Sequence, residues 1–337
     1  MTNSPIISVV IPLYNKEEYV SECMESVLCQ IEPRFEVIII DDESTDNSLA
    51  ILRKFSDPRI KIFSQKNSGP GTARNFGIQN AEAEYIAFLD ADDVWSPNHL
   101  AEIMAMWASF PNAGAVSTTI QDFRYQPSSF TKPIRHNNFQ EIDFFKEAAV
   151  KTSIVHTSAT SIRKEVIENI GGFKNRRNGE DIEMWARIAL SYSIVVSKNV
   201  TVGYRQVASG LSEMAKREKY EKNYEIPKSI DEFSPVVATL VQFKEELNCS
   251  YKFQGAADLK HRIQYYLYSR CRRRLYSEIL NGNVNSAYHT LAISYKLGIG
   301  EFVIIKKLLQ HENLRILRFY IRSERYIRSK WNRLKHL

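Results

Sequence analysis

The stretch Tyr85-Ile86-Ala87-Phe88-Leu89-Asp90-Ala91-Asp92-Asp93 decides the fold class. It opens as a short, almost wholly apolar run without polar alternation, the pattern of a strand covered on both faces, as in a parallel sheet. It then stops on Asp90, Asp92 and Asp93. Working outward, Ile6–Pro12 and Phe35–Ile40 are runs of the same kind, and Asp41-Asp42 closes the second. Arg59–Phe63 is a shorter strand candidate. Helix-like stretches lie between them, at about 17–30, 46–55, 71–81 and 97–109. Asp46 or Thr45 is expected to cap the second helix, and Ser96-Pro97 to open the fourth in the N-cap/N1 manner. Strand–helix alternation of this kind predicts an α/β fold with right-handed crossovers.

After residue 110 the rhythm changes. A strand is expected at Ala113–Thr119, then a polar, proline-containing loop to about 140. A helix at Ile142–Val150, a strand at Ser158–Ile162 and a helix at Lys164–Asn169 follow, the last ending at Gly171-Gly172. Ile182–Tyr192 reads as a strong helix and Ile194–Tyr204 as a strand. Beyond about 212 the chain reads helical and amphipathic. The expected organisation is a body at 1–210, with halves at about 1–110 and 111–210, and a helical, basic C-terminal region at 211–337.

The composition of 44% hydrophobic and 25% charged residues excludes a disordered, collagenous or low-complexity chain. The start, Met1-Thr2-Asn3-Ser4-Pro5, lacks the basic and apolar segments of a signal peptide, and no apolar run nears the ~20 residues of a spanning helix. Cys23, Cys29, Cys249 and Cys271 lack metal-ligand spacing. They read as reduced thiols of a cytosolic protein, with Cys23 and Cys29 both in a buried helix. The net charge of +6 hides an asymmetry: residues 251–337 carry 18 Lys+Arg against 5 Asp+Glu, a net of +13, which leaves −7 on the remainder. Such a split suggests a body with a basic tail aimed at something anionic.

In open α/β sheets ligands bind beyond the carboxyl ends of the strands. If the strands are parallel, both acidic clusters share one rim, where a divalent cation or hydrogen-bond donors must offset their repulsion. Oxygen-only ligands favour Mg²⁺ or Mn²⁺, which would bridge the protein to a diphosphate. The alternative is that aspartate simply suits strand–loop junctions. Arg74 stands in Gly71-Thr-Ala-Arg-Asn75, opening a helix. A guanidinium there suits phosphate or sugar hydroxyls, or forms a structural ion pair. Neither a dinucleotide fingerprint nor a G-x-x-x-x-G-K-[ST] phosphate loop is present.

Six segments occur in order: Ser8-Val-Val-Ile-Pro-Leu-Tyr-Asn15, Val37-Ile-Ile-Ile-Asp-Asp-Glu-Ser-Thr-Asp46, Asn67-Ser-Gly-Pro-Gly-Thr-Ala-Arg-Asn75, Tyr85–Asp93, Gly171-Gly-Phe173 and Glu180-Asp181. This ordered set, over about residues 6–205, resembles the family 2 glycosyltransferases, and the resemblance implies a GT-A fold: a Rossmann-like, mostly parallel sheet flanked by helices. It also implies an inverting hexosyl- or N-acetylhexosaminyl-type transferase that takes a nucleotide-diphosphate sugar, expected to be a UDP-sugar, to a hydroxyl of a glycan or lipid-linked glycan in cell-surface polysaccharide synthesis. By the resemblance, Pro12, Tyr14, Asn15, Asp41, Asp42, Arg74, Asp90 and Ala91 line the donor site. Asp42 or Asp41 would bind the uracil edge, and Asp90 the ribose or donor sugar. Asp92 would hold a Mn or Mg ion, and Asp181 would act as general base. Glu180 and Trp185 would lie on the acceptor side. The residues leave other roles open: Tyr14 as a packed aromatic, Glu180-Asp181 as a helix N-terminal acid pair, Trp185 as core.

One departure stands out. Many relatives carry a histidine in a Tyr-Arg-x-His pattern after the last strand, and here Tyr204-Arg205-Gln206 is followed by Val207. The cation would then rest on Asp92 and the diphosphate, with Arg205 as a substitute charge. His156 is either structural or functional on the acceptor side. In the tail, Arg315, Arg318, Arg322, Arg325 and Arg328 form a stripe beside Leu317, Ile321, Trp331 and Leu334. That stripe either lies on an anionic membrane, on its inner cytoplasmic face, or packs on the body. No nucleic-acid-binding module is recognised. A nucleotide-sugar-binding scaffold without catalysis is the competing reading of the whole.

Overall fold

A computed structural model of the chain describes residues 4–123, 138–151, 154–176, 179–206, 240, 256–281, 284–296 and 321. The chain divides into two compact units, Met1–Glu147 with Ser153–Lys222, and Ala148–Thr152 with Asn223–Leu337.

The first unit is a helix-flanked sheet of nine strands among the described residues. Its first half follows the expected alternation: β1 (Ile7–Leu13), α1 (Val20–Leu28), β2 (Phe35–Asp41), α2 (Ser48–Leu52), β3 (Ile60–Ser64), α3 (Pro70–Gln79) and β4 (Tyr85–Phe88). β1 pairs in parallel with both β2 and β4, and β2 with β3. Every residue of β2 is buried, and in β1 all but Pro12, so the unbroken apolar runs reflect strands covered on both faces. Gly77 of α3 lies so close to β1 that an added Cβ would meet Val10 Cγ1 at 2.4 Å, which explains a glycine inside a helix.

The second half is built differently. β5 (Val94–Trp95), α4 (His99–Ser109), β6 (Ala115–Phe123), β7 (Phe139–Ile142), α5 (Phe144–Val150), a 3-10 turn at Thr157–Ala159, β8 (Thr160–Arg163), α6 (Lys164–Ile170), α7 (Glu180–Ser191) and β9 (Ile194–Arg205) follow. β8 runs antiparallel to β4 and β6, and β9 is parallel to β6 but antiparallel to β5 and β7. The sheet is therefore mixed: its longer ladders, at β3-β2-β1-β4 and at β6–β9, are parallel, and shorter antiparallel ones join β8 to β4 and β6 and β9 to β5 and β7.

Several boundaries differ from expectation for local reasons. α4 opens at His99 with Asn98 at its N-cap, not at Ser96-Pro97, because Ser96 N–H is drawn to Thr201 O at 2.8 Å beside the β5–β9 pairing. Asn47 is the N-cap of α2 and makes no side-chain cap, whereas Asp46 accepts from Ser48 N at 2.9 Å. α1 stops at Leu28, which leaves Cys29 exposed at its C-cap while Cys23 is buried. Cys23, Cys29 and Cys271 are free thiols.

In the second unit, α8 (Ala256–Leu280) and α9 (Val284–Lys296) contact one another. α8 buries Ile263, Tyr266, Leu267, Cys271 and Leu275 along one face at helical spacing, and burial pushes the Cys271 thiol up to about 12. Thr290 Oγ1 of α9 donates to Glu278 of α8 at 2.6 Å. None of the helices among the described residues is long and apolar enough to cross a membrane. Val207, Cys249 and the stripe from Arg315 to Leu334 lie outside the described residues, except Ile321, which is helical and buried.

Candidate active site

Because β2, β1 and β4 run parallel, their C-terminal ends meet on one rim, and the two acidic clusters stand there together. At the end of β1, Pro12 is still in the strand, Tyr14 is 46% exposed, and Asn15 takes a left-handed φ of 49°. Asn15 Oδ1 accepts Thr45 N–H at 2.8 Å, and Asn15 N–H reaches Ser44 Oγ at 3.2 Å, so the loops after β1 and β2 hold each other. Glu43 is also left-handed, at 64°, immediately after the Asp41-Asp42 pair. Two non-glycine residues in this sparsely populated region, at adjacent strand ends, mark a rim whose backbone is fixed by its surroundings.

Asp41 and Asp42 are both buried. Asp41 Oδ1 accepts Ser44 N–H at 3.1 Å. Asp42 accepts three donors: Gln65 Nε2 at 2.7 Å, Ser68 N at 2.9 Å and Gly69 N at 2.9 Å. It thereby folds the 65–69 loop against the sheet and sets Gly69, at φ 86°, as the N-cap of α3 with Pro70 at its first position.

The third strand end divides its three acids among three partners. Asp90 pairs with Arg74 Nη2 at 2.6 Å, and Asp92 Oδ2 with Lys16 Nζ at 2.6 Å. Asp93 is fully buried, accepting from Ser158 Oγ and from Arg205 N–H at 2.9 Å. Burial pushes the Asp93 carboxyl well up, reinforced by the charges of Asp92 and Asp90. Burial would push Asp90 up too, but the charge and hydrogen bond of Arg74 outweigh it and hold Asp90 below the usual range. Ala91 is the small, buried spacer between them.

Arg74 is the link across the rim. Its side chain is almost wholly buried, and its Nη1 donates to Glu180 at 3.0 Å while its other arm holds Asp90. The expected guanidinium for phosphate is thus committed to two carboxylates, one at the end of β4 and one at the start of α7. Next to Glu180, Asp181 is the second residue of α7, and Gly179 at φ 79° supplies the left-handed turn into the helix. Asp181 Oδ1 accepts the Ile182 N–H at 2.7 Å. Burial raises Glu180, opposed by Arg74. Burial lowers His156, opposed by the charges of Asp90 and Asp181. His156 packs edge-on to Tyr204 at 4.3 Å, and its Nδ1 has no hydrogen-bond partner among the described residues. Trp185 sits in the core, 1% exposed, against Phe173. Its indole is part of the packing under the site.

The rim residues thus form one continuous line. Asp42 and Asn15 stand at one end, Lys16–Asp92 in the middle, and Asp90–Arg74–Glu180 with Asp181 at the other. Several contributors carry no signal as single letters. Asn75 exchanges two hydrogen bonds with Phe173, Nδ2 to O at 2.8 Å and N to Oδ1 at 2.8 Å. The same amide leaves no room for a Cβ at Gly172, which would lie 2.4 Å from Asn75 Oδ1. Arg187 donates to the carbonyls of Ile170, Gly171 and Gly172 at 2.7–2.8 Å and so ties α6 to α7. Arg205, which would have replaced a missing histidine, donates to Asp92 O at 2.8 Å and to Glu22, between the rings of Tyr19 and Phe123. The contact of the Arg74-Asn75 segment with the Gly171-Gly172-Phe173 segment explains why these distant stretches occur together.

Comparison with known proteins agrees with this geometry. The model of glycosyl transferase family 2 matches residues 8–171. The chain is 31% identical over 198 residues to TuaG of Bacillus subtilis, a glycosyltransferase named for teichuronic acid biosynthesis, covering 55% of this chain and 73% of TuaG. It is 35% identical over 191 residues to an uncharacterized glycosyltransferase of Rickettsia felis, covering 56% of this chain and 31% of the relative. The chain thus spans about a third of the length of that relative, and of a second one from Rickettsia conorii. Among solved structures, S. aureus TarS 1-349 in complex with UDP-GlcNAc superposes with a TM-score of 0.53 at 20% identity, over 87% of this chain and 92% of that one. The mannosyltransferase PcManGT from Pyrobaculum calidifontis, in complex with GDP-Man and Mn²⁺, superposes with a TM-score of 0.56 at 19% identity, over 97% and 85%. At these identities the structures speak for the fold, which is that of GT-A glycosyltransferases. With TuaG matched over most of its length and the family's segments gathered on one rim, the chain belongs to glycosyl transferase family 2.

Proposed function

We propose that the protein is an inverting glycosyltransferase that takes a sugar from a nucleotide-diphosphate sugar to a hydroxyl of a glycan or lipid-linked glycan, in the synthesis of a cell-surface polysaccharide. The observation that carries the reading is the continuous rim from Asp42 to Asp181. It offers an exposed aromatic at Tyr14 for a base and a carboxylate at Asp92 beside the middle of the line. At the far end, Asp181 follows Glu180, which the buried Arg74 ties to Asp90. The nucleotide sugars bound by TarS and PcManGT, and the polymer for which TuaG is named, support the same class of donor and product.

The chemistry follows from that layout. The acceptor oxygen attacks the anomeric carbon as the bond from that carbon to the diphosphate oxygen breaks. Asp181 takes the hydroxyl proton, and the nucleoside diphosphate leaves with the bonding electrons. A single displacement inverts the anomeric centre. Arg74 holds Asp90 beside the donor and Glu180 beside Asp181, so one buried cation sets the spacing of both sides. Asp41 and Asp42 fix the loop that borders the nucleoside.

Among the described residues no group of three or more His, Cys, Asp or Glu is disposed to hold a metal. Asp92 on its own fits a Mn²⁺ or Mg²⁺ ion that takes its remaining ligands from the diphosphate and from water. Bound there, the ion would supply positive charge to the leaving phosphates.

Calorimetric titration of the full chain with UDP-GlcNAc, UDP-glucose and GDP-mannose in the presence of Mn²⁺ tests the donor class. One of them is expected to bind in the micromolar range, with Tyr14→Ala weakening it. Absence of binding by every nucleotide sugar would remove the reading.

A further inference from the structure

The charge arrangement at Asp92 carries an inference that rests on the proposed metal role of that residue. Lys16 Nζ lies 2.6 Å from Asp92 Oδ2, with the two side chains only 20% and 15% exposed. The backbone of Lys16 is pinned, since its N–H donates to Ser48 Oγ at 2.7 Å. Asp92 is pinned as well, its carbonyl held by Arg205 Nε at 2.8 Å. What remains free to move is the four-carbon lysine stem and its ammonium. The ammonium therefore stands where a cation coordinated by Asp92 would place its own positive charge. The other acids of the cluster offer no alternative seat, because Asp90 is held by Arg74 and Asp93 by Ser158 and the Arg205 N–H.

We propose that Lys16 is the resident counter-ion of Asp92 and competes with the divalent ion for its carboxylate. When the ion arrives with a diphosphate, the lysine swings out on its stem and the ammonium takes a phosphate oxygen. The ion then binds weakly alone and strongly with a diphosphate, because only the diphosphate gives the displaced ammonium a new anion. Lys16 is thus a donor-positioning residue that couples ion binding to donor binding.

The test follows Mn²⁺ bound to the full chain by electron paramagnetic resonance, first alone and then with inorganic diphosphate. With Mn²⁺ alone, Lys16→Met is expected to bind about fivefold more tightly than wild type, the worth of one partly exposed ion pair. Lys16→Arg, which keeps the competing charge, should resemble wild type. Inorganic diphosphate should tighten Mn²⁺ binding more in wild type than in Lys16→Met. Melting curves check folding, and Lys16→Gln repeats the comparison if the methionine variant is unstable. If Lys16→Met binds Mn²⁺ no more tightly than wild type while Asp92→Asn abolishes binding, the competition is wrong and the metal site stands. If Mn²⁺ fails to bind, or binds Asp92→Asn as well as wild type, the metal role of Asp92 and this inference fall together.

Discussion

The two halves of the sheet bury different chemistry. In β1, β2 and β4 the interior is Val, Ile, Leu, Phe and Ala87; the polar exceptions are Asp41, at the rim end of β2, and Ser8 and Glu36, which bond to each other at 2.6 Å. In β6, β8 and β9 the buried positions include Ser117, Thr118, Thr160, Ser161, Ser197 and Thr201. Thr201 Oγ1 donates to Thr118 Oγ1 at 2.8 Å and faces His99 Nδ1 at 2.8 Å, while Glu102 gathers Ser197 and Asn199. The first half is held mainly by non-directional burial. The second adds directional bonds to an apolar core that includes Val116, Ile162, Val195 and Val202. The difference teaches where the family segments can sit: a backbone fixed by apolar packing presents its strand ends as a stable rim, and the polar half brings Asp181 to meet it.

The largest effect that could break this contrast is a truncation in the first half. Ile39→Ala, at a fully buried position of β2, is expected to cost about 2–5 kcal/mol in urea unfolding. In the second half Thr201→Val, which keeps the volume but leaves Thr118 and His99 short of a partner, is expected to cost about 1–3 kcal/mol. A larger cost for Thr201→Val than for Ile39→Ala would mean that the halves do not differ as described.

A smaller effect sharpens the contrast through pH. His99 is fully buried and stacked on Trp95 at 4.1 Å, and burial pushes its pKa down to about 3. The folded state therefore keeps it neutral, whereas the unfolded chain takes up a proton near pH 6.5. Stability should fall as pH drops from about 6.5 toward 3, by up to about 1.4 kcal/mol per pH unit from this residue. His99→Gln should remove that part of the slope, measured as the difference between the two proteins from pH 6.5 to 4.5. Equal acid slopes would show that His99 does not govern it.

Legibility in the sequence follows the same division. β1, β2 and β4 are readable because strands covered on both faces are written as unbroken apolar runs. Their limits move by only a residue or so, since Leu13 and Asp41 still pair in the ladder. β5 is two residues long and β7 carries the exposed Gln140 and Glu141, so neither has a period to detect. The order of motifs pointed to Asp42, Arg74, Asp90, Asp92 and Asp181, but not to what each touches. That Arg74 is spent on Asp90 and Glu180, that Lys16 covers Asp92, and that Asn75 explains Gly172 are pairings between residues far apart in the chain. Spacing along the sequence does not encode them. Trp185 on the helical face of Asp181 could equally line a site or fill a core, and only packing decides for the core.

The central claim is that Asp181 removes the acceptor proton at a site that binds a nucleotide sugar. It is tested most directly by nucleoside diphosphate release from a panel of UDP- and GDP-sugars with Mn²⁺, comparing wild type with Asp181→Asn. Release by wild type, a drop of about 10²–10⁴-fold in the variant and unchanged nucleotide affinity are predicted. Wild type and variant that bind nucleotide alike and are equally inert would contradict the claim and leave a nucleotide-sugar-binding scaffold.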